Sequence, residues 1–166
     1  LIATASMDNT VRVWSNNAID NYPSQVIRSH NACVKSVAFS PDSRFIVSAS
    51  DDKSIKIFNV SSGLSTVRDQ EFVKSLLGHT NWVTSARFSN CGRMLVSGGT
   101  DRVVNLWDFE TSQKTFELRD HAGNVNGVKF LPENNCKPSD LGFASYSDDK
   151  TIKIYDVRSN QLLQHY

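Results

Sequence analysis

Asp8-Asn9-Thr10-Val11-Arg12-Val13-Trp14 is the first of four copies of one phrase. The others are Asp52-Lys53-Ser54-Ile55-Lys56-Ile57-Phe58, Asp101-Arg102-Val103-Val104-Asn105-Leu106-Trp107 and Asp149-Lys150-Thr151-Ile152-Lys153-Ile154-Tyr155. Their aspartates stand 44, 49 and 48 residues apart. A period of that length marks a repeat architecture, in which each unit is one supersecondary element that cannot bury its apolar face alone. After each aspartate the chain turns strand-like, rich in Val and Ile with polar residues between them. One chemical centre would not need four copies of a phrase, so the repeat points to a binding scaffold.

Working outward from the phrase, the third unit reads as four strands, Trp82 to Ser89, Met94 to Gly98, Val103 to Phe109 and Lys114 to Leu118, divided by short turns such as Asn90-Cys91-Gly92. The second gives Val34 to Ser40, Phe45 to Ser48, Ser54 to Val60 and Val73 to Leu77, with Ser40-Pro41-Asp42 as its first turn. Proline at the second turn position presets the backbone angle there. The fourth gives Val125 to Leu131, Leu141 to Ser145, Thr151 to Val157 and Gln161 to Tyr166, with a longer polar loop from Pro132 to Asp140. Four antiparallel strands joined as a meander are one blade of a β-propeller. The expected fold is all-β, with blades at about 1–29, 30–78, 79–120 and 121–166, the first incomplete because Leu1 already lies in its second strand. An open propeller leaves sheet edges exposed, so further blades of the same chain are expected on both sides.

A polar set recurs with the phrase. A hydroxyl stands four residues before each aspartate, at Thr4, Ser48, Ser97 and Ser145, and an aromatic six after it, at Trp14, Phe58, Trp107 and Tyr155. His30, His79 and His121 precede Asp52, Asp101 and Asp149 by 22, 22 and 28 residues, the last stretched by the loop after Pro132. This pattern resembles the WD40 repeat family over essentially the whole sequence. The resemblance implies a buried tetrad in each blade, a chain of hydrogen bonds through Trp, Ser or Thr, His and Asp. Thr4, Asp8 and Trp14 supply part of one. His30, Ser48 and Asp52 supply most of a second, which Phe58 cannot close. The third is complete with His79, Ser97, Asp101 and Trp107. In the fourth, Tyr155 joins His121, Ser145 and Asp149 and has a different reach from an indole. The same residue types build the triad of hydrolases. Here they recur at blade spacing without a GxSxG elbow, which favours the structural reading.

Composition is that of a globular chain: 166 residues, 39% hydrophobic and 21% charged, with no apolar run long enough to cross a bilayer. The opening Leu1-Ile2-Ala3 has no initiator Met or basic leader and reads as the interior of a longer protein. Cys33, Cys91 and Cys136 lack a CxxC spacing, which favours reduced cytosolic thiols; no metal or cofactor is expected. A net charge of +1 gives no broad attraction to nucleic acid or acidic membranes. Arg12, Lys56 and Lys153 occupy one repeat position, with Asn105 as the exception, and Lys53, Arg102 and Lys150 follow the aspartates. They are expected along blade flanks, with a patch for an acidic partner surface as the second reading.

In the WD40 family partners commonly meet the channel rim on the side of the blade-joining loops. Carried onto this sequence, that face comprises Met7, Cys33, Lys35, Asp51, Trp82, Thr84, Thr100, Asn124, Asn126 and Asp148. Trp82 is the expected anchor, since aromatic side chains dominate interface energetics; the competing reading is that it plugs the channel or covers a neighbouring blade. His79-Thr80-Asn81-Trp82-Val83, Arg87-Phe88-Ser89, Gly92 to Ser97, Asp156-Val157-Arg158 and Leu162 to Tyr166 further resemble the WD40 proteins of centrioles and basal bodies. That resemblance implies four blades of a seven-bladed, non-enzymatic scaffold. Its partners would be tubulin, triplet microtubules and neighbouring centriolar or ciliary proteins, its location the cytoplasmic cytoskeleton at the centriole or basal body, and its role wall stability and ciliogenesis. The runner-up is a substrate-recognition or assembly scaffold in a ubiquitin-ligase or signalling complex.

Overall fold

The computed structural model describes residues 1–14, 24–60, 71–132, 142–159 and 161–166. Among these lie fifteen strands and no helix: β1 (Ile2–Ala5), β2 (Thr10–Trp14), β3 (Ser24–Arg28), β4 (Val34–Phe39), β5 (Phe45–Ser50), β6 (Ser54–Asn59), β7 (Glu71–Leu77), β8 (Val83–Phe88), β9 (Met94–Gly99), β10 (Val104–Asp108), β11 (Lys114–Leu118), β12 (Val125–Phe130), β13 (Gly142–Ser147), β14 (Ile152–Asp156) and β15 (Gln161–His165). They pair antiparallel into four sheets, ordered β1-β2-β3, β4-β5-β6-β7, β8-β9-β10-β11 and β12-β13-β14-β15. The all-β meander of propeller blades is therefore the observed architecture, and strand ends in the last three units differ from those read in sequence by at most two residues. Most of the loop expected after Pro132 lies outside the described residues.

The repeated phrase builds the hairpin between the second and third strands of each complete sheet. Asn9, Lys53, Arg102 and Lys150 all sit in the left-handed region, at φ of 68°, 68°, 65° and 66°. The preceding aspartate makes this tolerable. Its Oδ1 accepts the backbone N–H two residues on, from Thr10 at 3.1 Å, Ser54 at 3.0 Å, Val103 at 3.3 Å and Thr151 at 2.9 Å. Such an Asx turn holds the tight corner without glycine. In the turn of the first hairpin, between β8 and β9, Gly92 takes φ 73°, where its counterpart Ser43 between β4 and β5 takes 58°.

The innermost strands β4, β8 and β12 share a second device. Their registers shift between Val34 and Ser36, Val83 and Ser85, and Val125 and Gly127, so Lys35, Thr84 and Asn126 are the extra residues of β-bulges. A bulge twists its strand and re-aims the side chain it carries.

The apolar core lies between sheets. Val13, Ile46 and Phe58 join the first sheet to the second, Ile57, Leu76 and Trp107 the second to the third, and Val104, Val125 and Tyr155 the third to the fourth. The aromatic that ends the second, third and fourth phrases thus packs against the preceding sheet, burying its ring almost fully: Phe58, Trp107 and Tyr155 are 1%, 2% and 1% exposed. Side chains of this size contribute about 1.5–3 kcal/mol each when buried. Close approach sets residue size along these seams, since a Cβ added to Gly98 would lie 2.5 Å from Val125 Cγ1.

Candidate functional site

In the third sheet the four polar partners form one directional chain. Trp107 Nε1–H donates to Ser97 Oγ at 2.9 Å, Ser97 lies 2.8 Å from His79 Nε2, and His79 Nδ1 lies 2.9 Å from Asp101 Oδ2. The indole can only donate and the carboxylate only accepts, so the imidazole carries its proton on Nδ1 and receives the serine proton on Nε2. Asp101 also accepts the Thr80 backbone N–H at 2.9 Å, which ties the segment entering the blade to the hairpin. Burial opposes ionisation of Asp101, and the His79 hydrogen bond overcomes it, holding the carboxyl below its ordinary range.

The second and fourth sheets keep two of the three links. His30 lies 2.7 Å from Ser48 Oγ and 2.8 Å from Asp52; His121 lies 2.7 Å from Ser145 Oγ and 2.8 Å from Asp149. Phe58 brings no donor to Ser48. Tyr155 Oη is buried beside Ser145 and Asp120 but meets strict hydrogen-bond geometry with neither, so it closes the fourth tetrad less well than the Trp107 indole closes the third. Burial, with the Asp120 charge second, pushes that phenol far above its usual range. Burial lowers the His30 pKa below 6.5 against the pull of Asp52. Asp52 falls to about 2: burial raises it, and the bonds from Ser54, His30 and Asn31 outweigh burial. In the first sheet Trp14 Nε1 donates to Thr4 at 3.3 Å in an exposed setting, with Asp8 bound to Thr10.

Three further participants escaped the sequence pattern. The hydroxyls of Thr10, Ser54 and Thr151 donate to Asp8, Asp52 and Asp149 at 2.6, 2.5 and 2.6 Å. Their signal was Ser or Thr two residues after the aspartate, which Val103 breaks. Lys56 and Lys153 also prove structural in part, since their Nζ atoms donate to the carbonyls of Ser29 and Asp120, just before the histidines. Asn105, at the same repeat position, is fully buried with neither amide atom hydrogen-bonded.

The rim positions converge sheet by sheet. The backbone N–H of Asp51, Thr100 and Asp148 donates to the carbonyl of Cys33, Trp82 and Asn124, each at 2.9 Å, and the bulged Lys35, Thr84 or Asn126 stands beside that link. Each blade therefore presents a cluster of three side chains. In the second, Lys35 Nζ lies 3.4 Å from Asp51 Oδ2; in the fourth, Asp148 accepts Asn124 at 3.0 Å and Asn126 at 2.5 Å. Thr84 turns its hydroxyl inward to the Val125 carbonyl at 2.6 Å, joining the third sheet to the fourth. Trp82 is 50% exposed and Lys35 Nζ stands 5.9 Å from its ring, linking the clusters of the second and third sheets. Met7 is exposed on the first.

The family model described as WD40 (WD domain, G-beta repeat) matches residues 1–15, 21–59, 70–108 and 112–156. Among curated relatives, Protein hir-1 of Neurospora crassa is 35% identical over 175 residues, covering 93% of this chain and 16% of its own length. Protein HIR1 of Gibberella zeae is 33% identical, with coverages of 95% and 16%, and Protein hir1 of Schizosaccharomyces pombe 29%, with 94% and 19%. The chain spans less than a fifth of the length of these relatives. These relatives carry the HIR1 name and overturn the expected likeness to centriolar and basal-body proteins. The segments that suggested it are largely turn, strand and tetrad residues that the blade itself requires. Tubulin and microtubules, centriolar or ciliary partners, the role in ciliogenesis and the cytoskeletal location are withdrawn with it. What remains rests on four repeats, their closed or partly closed tetrads and a model matched over most of the sequence: the chain belongs to the WD40 repeat family.

Proposed function

We infer that this chain is a protein-binding part of a WD40 assembly or substrate-recognition scaffold, with no chemistry of its own. It engages partners through the rim centred on Trp82. The carrying observation is the half-exposed indole beside the Lys35–Asp51 pair, where two blades meet. An indole with an amphipathic edge and an adjacent ion pair has the make-up of an interface anchor. The rim residues Met7, Cys33, Thr100, Asn124, Asn126 and Asp148 would flank it. The tetrads serve this rim by locking each blade; the division of the chain into blades at 30, 79 and 121 belongs to the same proposal.

A hydrolytic reading of the Ser-His-Asp sets fails on access. Ser48, Ser97 and Ser145 are each 0% exposed, so no substrate carbonyl can reach their oxygens. The test is capture of partners by the full-length protein and its Trp82→Ala variant, compared quantitatively. The expected result is loss of a defined set of partners with the melting temperature unchanged. Retention of every partner, or a lowered melting temperature accompanying the loss, would contradict the assignment.

A further inference from the structure

The innermost strands β4, β8 and β12 stand side by side where the sheets converge, as the wall of a propeller's central channel. Their charges are of one sign. They carry Lys35, Arg87 and Lys129 and not one aspartate or glutamate. Lys35 stands at the rim and pairs with Asp51. Arg87 and Lys129 each lie three residues beyond the rim positions Thr84 and Asn126, about 10 Å deeper at ~3.3 Å per residue. A broad partner surface docked on the rim does not reach them, whereas a free anion does.

Arg87 is held without an acid. Its Nη1 donates to Ser36 Oγ on the neighbouring sheet at 2.6 Å and to the Ala86 carbonyl at 2.8 Å. Both acceptors are neutral, and Nε and Nη2 make no hydrogen bond among the described residues. The one titratable group among those residues that acts on the guanidinium is the Tyr146 phenol; no carboxylate does. The Lys129 ammonium is exposed, with no hydrogen bond or ion pair among the described residues.

Tyr146 reaches this place through a paired exchange of sizes. Ser36 faces Ala49 and Ser85 faces Gly98, and the small partner leaves room for the next sheet. Ala49 packs with Val83, and a Cβ on Gly98 would meet Val125 Cγ1 at 2.5 Å. In the fourth sheet Gly127 faces Tyr146 instead. The ring lies back over Gly127, where a Cβ would stand 2.4 Å from its Cζ and Oη, and brings its hydroxyl towards Arg87. Lys129, two residues from Gly127, shares that face of the strand pair.

We propose that this part of the channel binds a small phosphate-bearing anion, with the free N–H groups of Arg87, the Tyr146 hydroxyl and the Lys129 ammonium donating to its oxygens. A guanidinium fork alone suits a planar carboxylate; donors from three strands suit oxygens spread tetrahedrally. The site lies apart from the Trp82 rim and does not depend on it.

The test is isothermal titration calorimetry of the full-length protein with pyrophosphate and with tricarballylate, a tricarboxylate of similar charge. Pyrophosphate is expected to saturate one site at low salt, at least about tenfold more tightly than tricarballylate, and to weaken as salt rises. Arg87→Gln and Lys129→Gln should each weaken it about tenfold, Tyr146→Phe by less, and Trp82→Ala not at all. Arg87→Gln also loses the bond to Ser36, so the exposed Lys129→Gln, with its melting temperature unchanged, decides if the arginine variant fails to fold. No saturable binding, equal or tighter binding of tricarballylate, unchanged affinity in Lys129→Gln, or loss of binding in Trp82→Ala would overturn the proposal.

Discussion

Replacing Trp107 by Phe isolates what the closed tetrad contributes, because the second blade already carries Phe at the equivalent position 58. The indole is 2% exposed and its Nε1–H donates to Ser97 Oγ, which is 0% exposed, at 2.9 Å. Phe removes that donor and leaves a buried oxygen with an unused lone pair, at a cost of about 1 kcal/mol. It also vacates roughly 40 Å³ in the seam between the second and third sheets, worth about 1 kcal/mol at ~24 cal/mol per Å³ of cavity. A loss of about 2 kcal/mol is expected in urea unfolding, with the denaturant slope unchanged. Position 78 supplies the control. A Cβ added to Gly78 would lie 2.8 Å from Trp107 Cη2, so Gly78→Ala should destabilise the parent protein. In the Trp107→Phe background the same methyl enters vacated space, and its cost should largely vanish. A loss below about 0.5 kcal/mol for Trp107→Phe, or an equal cost of Gly78→Ala in both backgrounds, would refute the reasoning.

Other expectations concern acid, a buried amide and a seam. Asp52 has a folded pKa of about 2 against an unfolded 3.8, and His30 is also depressed below 6.5. Both groups bind fewer protons when folded, so their contribution is complete above the unfolded values and is lost as pH falls. Thermal melting followed downward from pH 7 should show stability declining first with His30 and then, between about pH 5 and 2, with Asp52; Asp52→Asn should flatten the lower part. Asn105→Leu removes two unpaired buried polar atoms and should leave stability unchanged or raise it by about 1 kcal/mol, and a comparable loss in chemical denaturation would show the amide to be satisfied. Gly98→Ala drives a methyl to 2.5 Å from the fully buried Val125 and should cost about 1–3 kcal/mol, read as a lowered melting temperature.

How much of this was legible in sequence follows from which interactions are local. Strand existence rests on spacing within a repeat, and the same spacing names the serines and aspartates that His30, His79 and His121 approach. The bulges at Lys35, Thr84 and Asn126 were not legible, because a bulge is a property of register between two strands. The carbonyl contacts of Lys56 and Lys153 are hidden from the sequence for a related reason. A flank position says nothing about a carbonyl 27 or 33 residues earlier that the fold brings within reach. Trp82 was visible as an exception to the repeat, but its company was not, since the Lys35 contact crosses from one blade to the next. The contact of Phe45 with Phe109 likewise arises from packing of two blades. The centriolar likeness failed because, Trp82 apart, it drew mostly on turn, strand and tetrad residues that the blade requires of any sequence.

The central claim, that a rigid repeat scaffold presents Trp82 as its binding anchor, can be tested on the tryptophans themselves. The chain holds three, Trp14, Trp82 and Trp107, each assignable by substitution after labelling the full-length protein with 5-fluorotryptophan. Titration with a captured partner, followed by fluorine NMR, should shift or broaden the Trp82 resonance and leave the buried Trp107 resonance in place. An unmoved Trp82 signal, or a shift centred on Trp107, would contradict the account.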